Sequence, residues 1–169
     1  MLAIHIKNIK GFMNSLLLQE TFDRFLVSEA AITTFTTFSI SGDLRKEFFT
    51  DRSDEQAKAP ERTQVLWKEI RPFCLSVIRG KRPPLSFKFV FQLSPEGVQK
   101  LLEQHDLPFQ PEDVYGLFFN CQYHSELLTL TTGSSMKVFS MDHSLDQIWD
   151  TTVSRFLEKQ GLLDAHDQP

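Results

Sequence analysis

The chain has 169 residues, 41 % of them hydrophobic and 24 % charged, with a net charge of −4. That length can bury a core without disulfide or metal staples, and the composition is too apolar for a disordered chain. The 18 basic and 22 acidic side chains exclude a globally basic nucleic-acid binder but leave room for a local basic face.

Charge is unevenly spread. Residues 61–92 carry a net +5, whereas residues 93–169 carry a net −8. Only the middle of the chain can offer a positive surface. Cys74 and Cys121 are too few for a disulfide scaffold and sit among apolar neighbours, so both are expected to be reduced and buried. No run approaches the roughly 18 apolar residues of a membrane span. The start, Met1 to Lys7, lacks a basic leader followed by an apolar run. The expectation is a cytoplasmic protein with no membrane partner. Phenylalanine dominates the aromatics, with 16 Phe against 2 Trp and 2 Tyr. Phe carries no polar group that needs a partner, so this usage predicts a Phe-packed core. The sharper alternative is that a few Phe line a partner groove.

In chain order, Leu2 to Ile6 predicts a strand. Asn8 predicts the cap of a helix over 9–18, with Ile9, Phe12, Met13, Leu16 and Leu17 on its apolar stripe. Arg24 to Ile40 reads as strand, richest in β-formers from Ile32 to Phe38, with a bend near Glu29-Ala30-Ala31. Ser41-Gly42-Asp43 signals a turn, and Leu44 to Phe49 a returning strand. Residues 50–61 are polar and predict a mobile loop. Helical spacing resumes at Arg62 and runs to Gly80, with Pro72 predicting a kink or two abutting helices and Gly80 the stop.

Leu85 to Leu93 alternates most clearly, with Leu85, Phe87, Phe89, Phe91 and Leu93 on one face. Ser94 and Pro95 predict the start of a helix carrying Val98, Leu101 and Leu102 inward. Three strand-like runs follow, Tyr115–Tyr123, Glu126–Thr131 and Met136–Met141, with hairpins at His124-Ser125 and Thr132-Gly133-Ser134. Ser144 and Gln147 form a capping-box pattern ahead of a final helix over 144–160, ended by Gly161. Its stripe is Leu145, Ile148, Trp149, Thr152, Phe156 and Leu157.

These elements predict one α+β domain over 1–161, mainly antiparallel sheet with three to four helices, and a flexible tail at 162–169. The halves 1–50 and 85–141, joined by the helical connector 62–80, have a similar order of elements. At an offset of 86, Ile4 falls on Val90, Asn8 on Ser94, Gly11 on Gly97, Phe12 on Val98 and Leu16 on Leu102. A strand–helix–three-strand unit used twice resembles one domain of a DNA sliding clamp. That resemblance concerns element order alone, and the sparse lysines on the first helix, Lys7 and Lys10, depart from a DNA-facing surface.

A second resemblance is carried by wording. The segments Thr21-Phe22-Asp23-Arg24-Phe25-Leu26, Ile32-Thr33-Thr34-Phe35-Thr36-Thr37-Phe38, Ile70-Arg71-Pro72-Phe73-Cys74, Arg79 to Lys88 and Leu93-Ser94-Pro95-Glu96 resemble a family of uncharacterised bacterial proteins, a domain of unknown function. This resemblance covers nearly the whole chain and implies no activity, cofactor or catalytic residue.

Motifs for chemistry are sparse. The five His are scattered, and the best local set of metal-ligand types, Asp142, His143 and Asp146, reads as the acidic start of a helix. There is no Gly-x-Ser-x-Gly elbow and no phosphate-cradling glycine loop. Ser134-Ser135-Met136-Lys137 has Ser-x-x-Lys spacing but reads as a turn. Cys121 and His124 fall on opposite faces of a strand. No catalytic residue, metal or cofactor is therefore expected.

The strongest feature outside the core is Arg79-Gly80-Lys81-Arg82-Pro83-Pro84, backed by Lys68, Arg71 and Lys88. Its bland reading is a set of cations at a helix C-terminus, favoured by the helix dipole. Its functional reading is an anion site for nucleic-acid phosphates, a nucleotide or an acidic protein surface, with Arg79 and Arg82 forking onto anions, Lys81 and Lys88 as point charges, and Phe73, Phe87 and Phe89 interleaved. The sequence thus predicts a non-enzymatic interaction module with a basic segment at 79–88. Two alternatives stand beside it. One is an enzyme or small-molecule binder with a pocket built from distant residues such as Asp142, His143, Tyr115 and Tyr123. The other is a homo-oligomer joined through strand edges.

Overall fold

The computed structural model describes residues 1–50 and 59–163. The loop expected at 50–61 and the tail expected at 162–169 fall mostly outside the described residues. The chain runs β1 (Ala3–Ile6), α1 (Ile9–Leu17), β2 (Leu26–Thr33), β3 (Thr37–Ser41), β4 (Val65–Leu66) and α2 (Trp67–Ile78). It continues through β5 (Ser86–Gln92), α3 (Pro95–Gln104), β6 (Val114–His124), β7 (Leu127–Met136) and α4 (Ser144–Lys159). The class is α+β, as the pattern predicts. The strands form one seven-stranded sheet in the order β1-β7-β6-β5-β2-β3, with β4 also against β2, and the pairings are antiparallel.

One face of this sheet carries the core. Ile4, Leu130, Cys121, Phe89 and Ala30 are successive cross-strand neighbours, and all are buried. One residue along, His5, Thr129, Gln122, Lys88 and Ala31 follow the other face, exposed or half-buried. This period-two segregation is what a half-covered antiparallel sheet requires. Phe22, between α1 and β2, is fully buried. Its ring centroid lies 5.5 Å from Phe12, 5.6 Å from Phe91, 5.6 Å from Phe156 and 6.1 Å from Phe119. One aromatic side chain therefore ties helices α1 and α4 to strands β5 and β6.

Local signals explain most boundaries. The Asn8 side chain accepts from the Gly11 N–H at 2.9 Å, and Ser94 does the same for Gly97 at 3.2 Å. Pro95 occupies the first turn of α3. Gly161 ends α4 at φ +68°, where the missing Cβ removes the steric penalty.

Elsewhere the structure departs from the sequence expectation. The strand expected over 24–40 is a hairpin that turns at Thr34-Phe35-Thr36. Both arms bring apolar side chains to the same face, Ile32 and Ala30 opposite Phe38 and Ile40. The bend expected at Glu29–Ala31 is instead a register shift between Val27 and Glu29. Leu44 to Phe49 is not a returning strand, and Lys46–Phe49 is a 3-10 turn. The place beside Leu26 and Val27 is taken by Val65 and Leu66. For the same reason the connector helix starts at Trp67 rather than Arg62. It runs as one element through Pro72. It stops where Arg79 turns extended (φ −63°, ψ 124°), without a left-handed Gly80. Gly42 allows the chain to cross β2. A Cβ there would lie 1.7 Å from the Val27 carbonyl oxygen.

The hairpin expected at Thr132-Gly133-Ser134 is absent. Gly133 pairs with Phe118 inside β7, which runs on to match the eleven residues of β6. Met136–Met141 therefore forms no third strand. Ser134-Ser135-Met136 lies in that strand and not in a turn. The two halves are also joined differently. β5 pairs with β6, whereas β1 pairs with β7 and not with β2. At α4, His143 occupies the cap position, and Asp142 accepts from the Ser144 N–H at 2.8 Å in place of the Ser144–Gln147 box.

The β6–β7 turn holds Ser125 at φ 50° and Glu126 at φ 64°, two side-chain-bearing residues in left-handed backbone. Such turns favour Gly or Asn. Glu126→Gly is expected to raise stability by about 1 kcal/mol in urea unfolding, with an unchanged denaturant slope.

Candidate functional site

The basic segment is positioned by two elements. Helix α2 ends at Ile78, and the following turn returns through Pro83 and Pro84 to β5. The Leu85 N–H donates to the Thr33 carbonyl at 2.8 Å, which sets this turn beside the β2–β3 hairpin. Between turn and hairpin lies an open groove of about 750 Å³. Arg79, Lys81 and Arg82 line it, together with Phe35, Phe38, Val77, Ile78 and Leu85. Phe35 is 92 % exposed and Leu85 68 % exposed. The Phe35 and Phe38 rings meet edge to face at 5.8 Å. Among the described residues, no carboxylate lines this groove. The arrangement can hold an anion at its rim and an apolar or planar group on its floor.

The cations singled out in the sequence are thereby divided, and Lys68 lines a separate cleft. Arg79, Lys81 and Arg82 come together. Arg71 does not join them. Its guanidinium forks onto Asp23 at 2.9 and 3.0 Å and reaches the Leu17 carbonyl at 3.4 Å. Trp67 donates to the Leu16 carbonyl at 2.8 Å, so α2 satisfies two of the carbonyls left open at the end of α1. Lys88 projects from the open face of the sheet, between Gln122 and Ala31. The last turn of α2 itself holds no cation. Of the aromatics expected to interleave, Phe87 and Phe89 are buried in the core, and Phe73 is exposed on α2 outside the groove lining. The groove's own rings, Phe35 and Phe38, were read in the sequence as strand interior. Their only sequence signal is a Phe flanked by Thr with no apolar neighbour at strand spacing on one side.

The remaining polar clusters are ties between elements. Asp146 accepts from the Ser134 hydroxyl and pairs with His143 Nδ1 at 3.0 Å. The carboxylate thus sits between hydroxyl and imidazole. A nucleophilic serine needs the imidazole beside its own oxygen. Asp150 likewise accepts from Thr132 and lies 3.3 Å from the Met1 ammonium, and these contacts hold α4 and the chain start to β7. Burial opposes the charged form of Asp146, but the Ser134 and His143 contacts outweigh it and hold its pKa below the ordinary value. Tyr123 stacks on Phe87 at 5.2 Å, and the Tyr115 ring lies 6.4 Å from Phe118. Among the described residues, no three His, Cys, Asp or Glu side chains form a metal-binding group. A second cleft, of about 740 Å³, mixes Arg24, Arg62 and Lys68 with Glu20, Asp23, Glu61 and Glu96, so its charges offset one another.

Both thiols are free and buried, and burial pushes Cys74 up to about 12 and Cys121 higher still. A thiol reagent at neutral pH is expected to label neither in the native protein and both after denaturation. Glu69 gives a pH signature. Its hydrogen bond from Arg62, at 2.8 Å to one oxygen, and a second from the Leu66 N–H hold its pKa below the usual 4.5. A carboxylate depressed in the folded state adds stability above its unfolded pKa and loses it as pH falls through the folded value. Replacing Glu69 by Gln should cost stability near neutral pH. The gap from the wild type should close as urea midpoints are followed to about pH 3.

Among the described residues, no helix is long and apolar enough to cross a membrane. Residues 15–163 match the model of one protein family, described as "Family of unknown function (DUF5721)". The match takes in the groove and every element from β2 to α4. Searches among curated proteins and solved structures found no match.

Proposed function

The chain belongs to the DUF5721 family, whose function is unknown, and from that premise we propose that it is a non-enzymatic interaction module that docks an anionic partner in the groove between the β2–β3 hairpin and the turn after α2. One observation carries this reading: Arg79, Lys81 and Arg82 line the same open groove as the 92 % exposed Phe35, with no carboxylate among the lining residues. Exposed rings occur elsewhere on the surface, but here Phe35 shares one groove with three cations, and aromatic and Arg side chains are the types enriched at recognition surfaces. The ties described above support the same reading, because Asp23, Asp146 and Asp150 are each engaged by another part of the fold. The domain over 1–161 acts here as a rigid carrier for the hairpin and the turn.

The test is titration of labelled acidic peptides and single- and double-stranded oligonucleotides with the protein, read by anisotropy across roughly 50–200 mM salt. Binding to at least one anionic class should weaken with salt and fall at least about tenfold in an Arg79/Lys81/Arg82→Ala variant with an unchanged melting temperature. Arg71→Ala should lower stability by about 1.5–3 kcal/mol and leave binding unaltered. Affinity that ignores the triple substitution would remove the groove from consideration.

A further inference from the structure

Strand β3 ends the sheet, and no further strand pairs with it among the described residues. Its register fixes which main-chain groups face outward. The Thr34 N–H donates to the Thr36 carbonyl, and the Gly42 N–H donates to the Ser28 carbonyl. Hydrogen-bonded pairs alternate along an antiparallel ladder. Between these two bonds, Phe38 and Ile40 therefore turn their N–H and C=O groups to β2. Thr37, Ser39 and Ser41 turn theirs to the open edge. The strand Thr37-Phe38-Ser39-Ile40-Ser41 contains no charge and no proline, so it lacks the usual devices that stop another strand from pairing there. The opposite edge, β1, is four residues long and followed by Lys7.

We propose that β3 receives an extended acidic segment of a partner protein, added as a further antiparallel or parallel strand whose carboxylates reach Arg79, Lys81 and Arg82. This rests on the groove reading above and names the partner's class. Main-chain pairing to Thr37, Ser39 and Ser41 supplies affinity, and alternate side chains of the added strand supply selectivity. Phe38 belongs to both surfaces. It is the second residue of β3 and lines the groove with the three cations. An added strand that passes Phe38 thus continues toward a positive rim. Charge complementarity selects the occupant. A second copy of this chain would offer an uncharged β3 flanked by Asp43, Arg45 and Lys46, with no surplus of negative charge. A nucleic-acid strand could use the cations and Phe35 but has no use for the open N–H and C=O row.

The probes are labelled peptides of about ten residues, alternating Thr with Val or Phe and carrying an Asp-Glu tract at one end or the other, beside a lysine-tract control and an oligothymidine of similar length. The acidic peptides should bind and the lysine control should not. Ser39→Pro removes one outward N–H without touching a bond to β2, a place where an edge strand tolerates proline. It should weaken the acidic peptide at least about tenfold, while Ser39→Ala, which keeps the N–H, should not. In the wild type, bound peptide should slow amide exchange at Thr37, Ser39 and Ser41, a readout independent of any variant. Binding that survives Ser39→Pro but is lost in the Arg79/Lys81/Arg82→Ala variant overturns strand addition and leaves the groove reading standing. Binding that survives both overturns both. Capture of oligothymidine in preference to peptide, or a mass that doubles with concentration and returns to one chain in Ser39→Pro, replaces the proposed occupant by nucleic acid or a second copy and overturns the proposal.

Discussion

The structure depends on the packing of Phe22. This side chain leaves the segment after α1 and lies fully buried against rings from α1, β5, β6 and α4. Phe needs no hydrogen-bond partner, so these five rings can meet without leaving a polar atom unsatisfied. The two buried or nearly buried Trp do need partners, and each finds a main-chain carbonyl. Trp67 reaches Leu16, and Trp149 reaches Phe118 at 2.8 Å. Aromatic mass supplies the cohesion, and the two indole bonds fix how helices α2 and α4 seat on their neighbours.

Burial on one face only has consequences for the rest of the molecule. It leaves a long polar surface across the sheet and two strand edges. The hairpin tip at Thr34-Phe35-Thr36 shares a groove with the last residues of α2, Val77 and Ile78. The turn through Pro83 and Pro84 has to come back beside that tip to start β5. The groove is the space between them. Its three cations sit together in a chain of net −4, and among the described residues no carboxylate is in the lining.

The polar ties show how easily a constellation can be over-read. Ser134, Asp146 and His143 are the residue types of an acyl-transfer site. Their order in space is hydroxyl, carboxylate, imidazole, which fastens α4 to β7 and leaves the hydroxyl without a base. Arg71 is a parallel case. In the sequence it belongs to the basic segment, whereas in space it holds Asp23 and the end of α1. Arg79 lies past the end of α2, whereas Arg71 sits within the helix and is held by Asp23, 48 residues away in the chain, a partner that nothing in the run of charges reports.

The sequence by itself determined what local chemistry can determine. Asn8, Ser94 with Pro95, and Gly161 mark helix ends because their preferences act within one turn. The alternation of Phe87, Phe89 and Phe91 marks a half-buried strand because side-chain direction has a period of two. The cluster Arg79-Lys81-Arg82 was legible as the strongest feature outside the core for the same local reason. Only the tertiary structure decided which β-forming run turns and which continues. Thr34-Phe35-Thr36 lacks turn residues yet bends, and Thr132-Gly133-Ser134 has them yet runs straight, because strand length is set by the partner strand across the sheet. For that same reason Val65 and Leu66, and not Leu44 to Phe49, fill the place beside Leu26. Phe35 and Phe38 meet the cations across more than forty residues of chain, a distance that no periodicity spans.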